Sequence, residues 1–181
     1  MRDFEDYCWR DFVTDEVRYI YSTYVRERAV GPRPALVVVH PGAAPCGEDW
    51  QKAAGRLLAD ARQRRLPVIH SLPPGSKTVK SLAPKGGELI VGRPCESAFF
   101  SADFERAMRN AGAGSLVLCG GPTSAALRAT AVDGKSFGYK VVIAEETVGD
   151  VSAHLHAMAL FDLAHKYADV MSYEELKEQL A

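Results

Sequence analysis

The chain has only four cysteines in 181 residues, Cys8, Cys46, Cys95 and Cys119, and no two of them form a C-x-x-C pair. Such scatter argues against a disulfide framework and for reduced thiols. No sign of charge dominates: 22 Lys and Arg face 23 Asp and Glu, a formal net charge of −1. That leaves no electrostatic ground for a nucleic acid or an anionic membrane as partner. No apolar run approaches the ~20 residues of a membrane span. The first six residues are polar and acidic, without the hydrophobic core of a signal peptide, so the cytoplasm is the expected location. Internal repeats and low-complexity segments are absent. His154 and His156 lie two apart, on different faces of a helix, so no metal site is expected there. No cofactor is expected either.

What is present is an ordinary globular composition, 47% hydrophobic and 25% charged, at a length that suits one core. Residues 1–32 read as an N-terminal helical arm. Thr14-Asp15 caps a helix through Val17, Ile20, Tyr21 and Tyr24, at spacings of three and four. The arm is rich in aromatic rings, which must bury on its own domain or on another subunit. Gly31-Pro32-Arg33-Pro34 ends it.

Residues 33–181 then alternate. Strands are expected at 35–39, 67–72, 88–91, 115–119, 140–144 and 169–171. Helices are expected at 49–65, 102–110, 123–137, 152–167 and 173–180. This order predicts an α/β fold, a three-layer α/β/α sandwich around a parallel sheet. Ligands bind beyond the carboxyl ends of such strands. The residues that follow each strand are therefore the candidates: His40, Ser71, Arg93, 120–126 and 145–150.

Five segments carry a resemblance. They are Ala35-Leu36-Val37-Val38-Val39-His40, Arg93-Pro94-Cys95-Glu96-Ser97-Ala98-Phe99-Phe100, the run from Cys119-Gly120-Gly121-Pro122-Thr123 to Ala131, Glu146-Thr147-Val148-Gly149-Asp150, and Phe161-Asp162 to Asp169-Val170. In order and context they resemble the isochorismatase-like cysteine hydrolases, and the N-terminal arm and the last segments look most like the N-carbamoylsarcosine amidase branch. The resemblance implies the same layered fold. It also implies multimers, with this chain as a homo-oligomer or as a hetero-oligomer with a relative.

The family's hydrolysis uses an Asp, a Lys and a Cys, in which a nearby cation keeps the thiolate accessible. Carried over by position, these fall on His40, Arg93 and Ala126. An alanine has no nucleophilic atom. The family's cis peptide upstream of the nucleophile falls on Gly121-Pro122, where proline keeps a cis bond cheap but removes an N–H that helps bind the oxyanion. Val151 stands where many relatives have an arginine. The segments 40–50 and 72–89 look shorter than their counterparts, which implies a shallower cleft or one completed by another subunit.

His40 is a candidate acid/base, or a buried histidine satisfied by backbone. Arg93 is a candidate contact for an anion, or part of an ion pair with Glu96 or Asp150. Ser71, Gly121, Pro122, Thr123 and Ala126 are expected to line the substrate pocket. The Thr123 and Ser124 hydroxyls are expected to cap a helix, His70 to complete the pocket wall, and Cys46 and Cys95 to lie near the mouth. Two functions follow. In one, a repurposed pocket acts on a small polar or anionic molecule through non-thiol acid/base chemistry at His40, with Arg93 as the charge contact. In the other, the chain is a non-catalytic pseudoenzyme, a partner subunit or a ligand-binding protein.

Overall fold

The computed structural model describes residue 3 and residues 6–21, 27–44 and 46–180. Its centre is a six-stranded sheet in the order β3-β2-β1-β4-β5-β6, every neighbouring pair parallel. The strands are β1 (Pro34–Val39), β2 (Val68–Leu72), β3 (Leu89–Gly92), β4 (Ser115–Gly120), β5 (Lys140–Val148) and β6 (Asp169–Met171). Central strands β1 and β4 are buried almost throughout and apolar apart from Ser115, because layers cover both faces.

The helices are α1 (Asp15–Tyr21), α2 (Asp49–Gln63), α3 (Ala102–Asn110), α4 (Arg128–Ser136), α5 (Ala153–Lys166) and α6 (Tyr173–Gln179). Alternation along each strand splits the core in two. Leu36 and Val38 pack with Trp50, Leu57 and Leu58 of α2 and Leu176 of α6. Val37 and Val39 pack with Phe104 and Met108 of α3, Leu127 and Ala131 near α4, and Leu160 and Leu163 of α5.

The observed elements depart from the sequence pattern in two places. The helix expected at 123–137 opens with a π-helical turn, Thr123–Leu127, before α4. The strand expected at 140–144 continues to Val148, because a register irregularity between Leu118 and Gly120 lets Gly120 pair with Val148. In the arm, Thr14 Oγ1 accepts from the Val17 N–H as expected of a cap. Tyr7 and Trp9 bury their rings in the chain's own core, whereas Tyr19 is 82% exposed. The expected continuation of α1 to Tyr24 lies outside the described residues.

The strand order reverses direction at β1 and β4, which opens a crevice beyond their carboxyl ends. No helix among the described residues is long and apolar enough to cross a membrane.

Candidate functional site

The crevice at the reversal point is built from the ends of four strands. His40 follows β1, Ser71 lies near the end of β2, Arg93 follows β3, and Gly121-Pro122 follows β4. The Gly121–Pro122 peptide is cis. These segments are tied together by backbone: the His40 N–H donates to the Ser71 carbonyl, and the Gly121 N–H to the Val39 carbonyl. Close approach is required here. A Cβ placed on Gly121 would meet Cys46 Sγ at 2.7 Å, and one on Gly149 would meet the Trp50 ring at 2.0 Å. Glycine at 121 lets the loop after β1 settle against the turn after β4, and glycine at 149 lets Trp50 of α2 settle against the turn after β5.

His40 is completely buried and both of its ring nitrogens are engaged. The Val79 N–H donates to His40 Nδ1 at 3.1 Å. An amide can only donate, so a neutral His40 carries its proton on Nε2. That Nε2–H donates to His70 Nδ1 at 3.0 Å, which fixes the His70 proton on Nε2. His70 Nε2–H in turn donates to Glu88 Oε2 at 2.9 Å. Glu88 is then held by Arg62 through both oxygens, at 2.6 and 2.9 Å, and by the Lys85 N–H at 2.8 Å. A directed chain thus runs from the end of β1 back along the α2 face of the sheet to Arg62.

The electrostatics agree with this reading of the protons. Burial pushes His40 down to about 3, and His70 and Arg93 push it the same way. Burial also lowers His70, against the opposing pull of Glu88. The hydrogen bonds from Arg62 are the largest cause holding Glu88 at about 2. Both imidazoles are therefore neutral at ordinary pH, and the carboxylate is charged.

Arg93 makes no ion pair with Glu96 or Asp150. Its Nη1 donates to the Ser71 carbonyl and its Nη2 to the His40 carbonyl, both at 2.9 Å. The side chain is buried, and that burial lowers its pKa, while Glu96 and Cys95 act at longer range to raise it. A guanidinium fork spanning two strand-end carbonyls fits the planar geometry that arginine, unlike lysine, provides.

Ser71 Oγ is buried without a hydrogen-bond partner. Ala126 is completely buried in the core layer on the Val39 face, opposite the layer that holds His70. Pro122 supplies no N–H. Thr123 does not cap the helix with its hydroxyl. Its Oγ1 lies 3.0 Å from both the Gly149 carbonyl and His156 Nδ1. The first helical amides are satisfied instead by the Gly149 carbonyl, which accepts from Thr123 N–H, and by Asp150 Oδ2, which accepts from Ser124 N–H at 2.6 Å. The tight turn at Pro122 faces Thr123 toward Gly149, so Asp150 takes the capping role.

Cys46 lies beside the turn, but burial and Asp150 push its thiol up to about 11, against the Trp50 N–H. It is a protonated thiol at neutral pH. Cys95 is exposed, its Sγ 3.8 Å from the Ser97 carbonyl. Among the described residues no group of three or more His, Cys, Asp or Glu is placed to hold a metal.

The structure therefore joins His40, Ser71 and Arg93 in one bonded cluster, and Gly121, Pro122 and Thr123 in an adjacent turn. Glu88, Arg62 and the Val79 N–H complete the His40 cluster and were not foreseen from sequence. His70 was expected as pocket wall. It is instead the middle link of the chain.

Maleamate amidohydrolase from Pseudomonas putida is 32% identical over 120 residues, covering 65% of this chain and 56% of that protein. N-carbamoylsarcosine amidase from Arthrobacter sp. is 26% identical over 99 residues, covering 55% of this chain and 38% of that protein. The chain thus spans about half the length, or less, of these curated relatives. Among solved structures, a cysteine hydrolase from Pseudomonas syringae pv. phaseolicola shares the fold with a TM-score of 0.78 at 19% identity, covering 86% of this chain and 97% of that one. The isochorismatase domain model matches residues 40–175, most of the chain and every strand-end residue discussed above, and the protein belongs to the isochorismatase family.

Proposed function

We propose that this chain is a non-catalytic member of its family, a ligand-binding protein or partner subunit in which the former triad positions hold the site's architecture instead of performing chemistry. The observation that carries this reading is the state of His40. It is neutral, buried, and has neither a free lone pair nor a free proton to offer a substrate. A general acid or base needs one of these within reach of the reacting atom. Ala126 offers no nucleophile, Pro122 offers no oxyanion donor, and the nearby Cys46 is held as the thiol.

One observation favours the second reading, in which His40 acts as acid/base on a small polar or anionic molecule contacted by Arg93. The Arg93 guanidinium is buried with no carboxylate of the described residues at ion-pair distance. Near it, the Ser71 hydroxyl lacks a partner. Burying an unpaired cation is costly, and a bound anion would offset that cost.

The test assays the purified protein against small amides and acid-labile enol ethers from pH 5 to 8, beside His40→Ala and Arg93→Ala variants whose folding is checked by circular dichroism. The non-catalytic reading expects no turnover by wild type above either variant. Turnover by wild type that both folded variants lose would overturn it and establish the second reading.

A further inference from the structure

A second polar recess lies at the other end of the strands. It has a volume of about 380 Å³ and is lined by Arg62, Leu66, Pro67, Val68 and the turn from Lys85 through Gly86 and Gly87 to Glu88. This volume falls in the range of small-molecule sites. It sits where β2 and β3 begin, whereas the crevice around His40 and Arg93 sits where the strands end.

The chemistry of the recess is one-sided. Glu88 faces it, but its carboxylate is saturated: Oε1 accepts from Arg62 Nε, and Oε2 accepts from Arg62 Nη2, His70 Nε2 and Lys85 N. It has little capacity left for a ligand. What remains among the lining side chains is donors. The Lys85 ammonium and Arg62 Nη1 make no hydrogen bond within the described protein. The amides of Gly86 and Gly87 likewise donate to no protein acceptor. Gly87 has φ +89°, and nothing lies within 4 Å of a Cβ built on either glycine, so the backbone of the turn is open to approach. Successive free N–H groups beside the unpaired Lys85 ammonium, and beside Arg62 whose charge Glu88 already balances, form an anion-binding concavity. Leu66, Pro67 and Val68 add an apolar wall.

We propose that this recess is a binding site for a small oxyanion, a carboxylate or phosphate group on a compact apolar body. Lys85 supplies the principal charge, Arg62 the second cation, and the Gly86 and Gly87 amides the directional donors. Arg62 cannot leave Glu88 without stranding that carboxylate, so it serves as a fixed wall. Lys85 is exposed and free to close on the ligand.

The experiment follows the backbone amide resonances of the full chain during titration with inorganic phosphate and, separately, with butyrate, each at ionic strength matched by potassium chloride. Saturable shifts centred on Gly86 and Gly87 are expected with at least one probe. Stronger binding of butyrate than of phosphate would identify the carboxylate source, and the reverse order the phosphate source. Lys85→Ala should weaken that binding about tenfold or more, the effect of losing one charge-assisted hydrogen bond. Lys135→Ala, on distant α4, should leave it unchanged. Shifts that chloride alone reproduces, that fail to saturate, or that survive Lys85→Ala would overturn the proposal. Because Lys85 is remote from Arg93, the Arg93→Ala variant should bind the probes at Gly86 and Gly87 as wild type does, which keeps this test separate from that of the crevice.

Discussion

On the α2 face of the sheet, His40, His70 and Glu88 bury three polar side chains in a row, and every ring nitrogen and both carboxylate oxygens have partners. On the opposite face, at the same strand ends, Ser71 Oγ has no partner and Ala126 contributes only a methyl group to an apolar core. Buried polar groups are inexpensive when each is satisfied and costly when one partner is removed. The α2 side should therefore be the more fragile of the two, and the Ala126 side the more tolerant. Adjacent residues of one strand, His70 and Ser71, sit on opposite sides of that divide.

The largest expected effect concerns acid. The folded protein holds His40 near 3 and also lowers His70, each from an ordinary value of 6.5. A depressed histidine contributes stability that is fully present above the unfolded value and is lost as pH falls from about 6.5 toward the folded value. Urea unfolding between pH 7 and pH 4 should lose on the order of a few kcal/mol. Glu88, held near 2, adds its own loss as pH falls below about 4.5. A midpoint that stays flat from pH 7 to pH 5 would break the comparison.

Next in size, His70→Leu severs the chain at its middle, leaving the buried His40 Nε2–H without an acceptor and Glu88 Oε2 with only Arg62 Nη2 and the Lys85 N–H. It should cost about 3 kcal/mol, by the scale for breaking a buried polar network. The same variant should lessen the slope of the stability profile between pH 7 and pH 5 by the share that His70 contributes, while the still-buried His40 keeps its own, a change that a mere packing defect would not cause. Thr123→Val, across the sheet, removes one hydroxyl shared by Gly149 and His156 and should cost about 1 kcal/mol in the same assay. If Thr123→Val proves the costlier, the two sides have been ranked wrongly.

The smallest expected effect is on activity. Ala126→Cys puts a thiol at the position that the family resemblance aligns with a nucleophile, yet His40 remains tied to Val79 and His70, and Pro122 has no N–H to donate. No amide hydrolysis should appear above background in a spectrophotometric or mass-spectrometric assay. Measurable amidase activity in that single variant would show that the surroundings of residue 126 are still competent.

Much of this molecule was legible in the sequence. Apolar runs such as Ala35–Val39 bury on both faces of a parallel sheet whatever their neighbours, so periodicity alone placed β1, β4 and the helices between them. The motif residues around Arg93, Cys119 and Gly149 located the crevice, because strand ends converge wherever the strand order reverses. Proline and alanine at positions 122 and 126 lack an N–H and a nucleophile in any fold, so those limits were chemical facts before any coordinates.

The state of the polar residues required the tertiary structure. Nothing local distinguishes a catalytic His40 from a structural one. Its bonded state is set by Val79, 39 residues later, and by His70 and Glu88, which reach it only after β2 and β3 pair. The same holds for Arg93, whose partners are two backbone carbonyls and not the Glu96 or Asp150 carboxylate that the sequence left open. Hydrophobic pattern and covalent chemistry are properties of residues and are written in the chain. Protonation, tautomer and hydrogen-bond partner are properties of neighbours, and only folding assembles those.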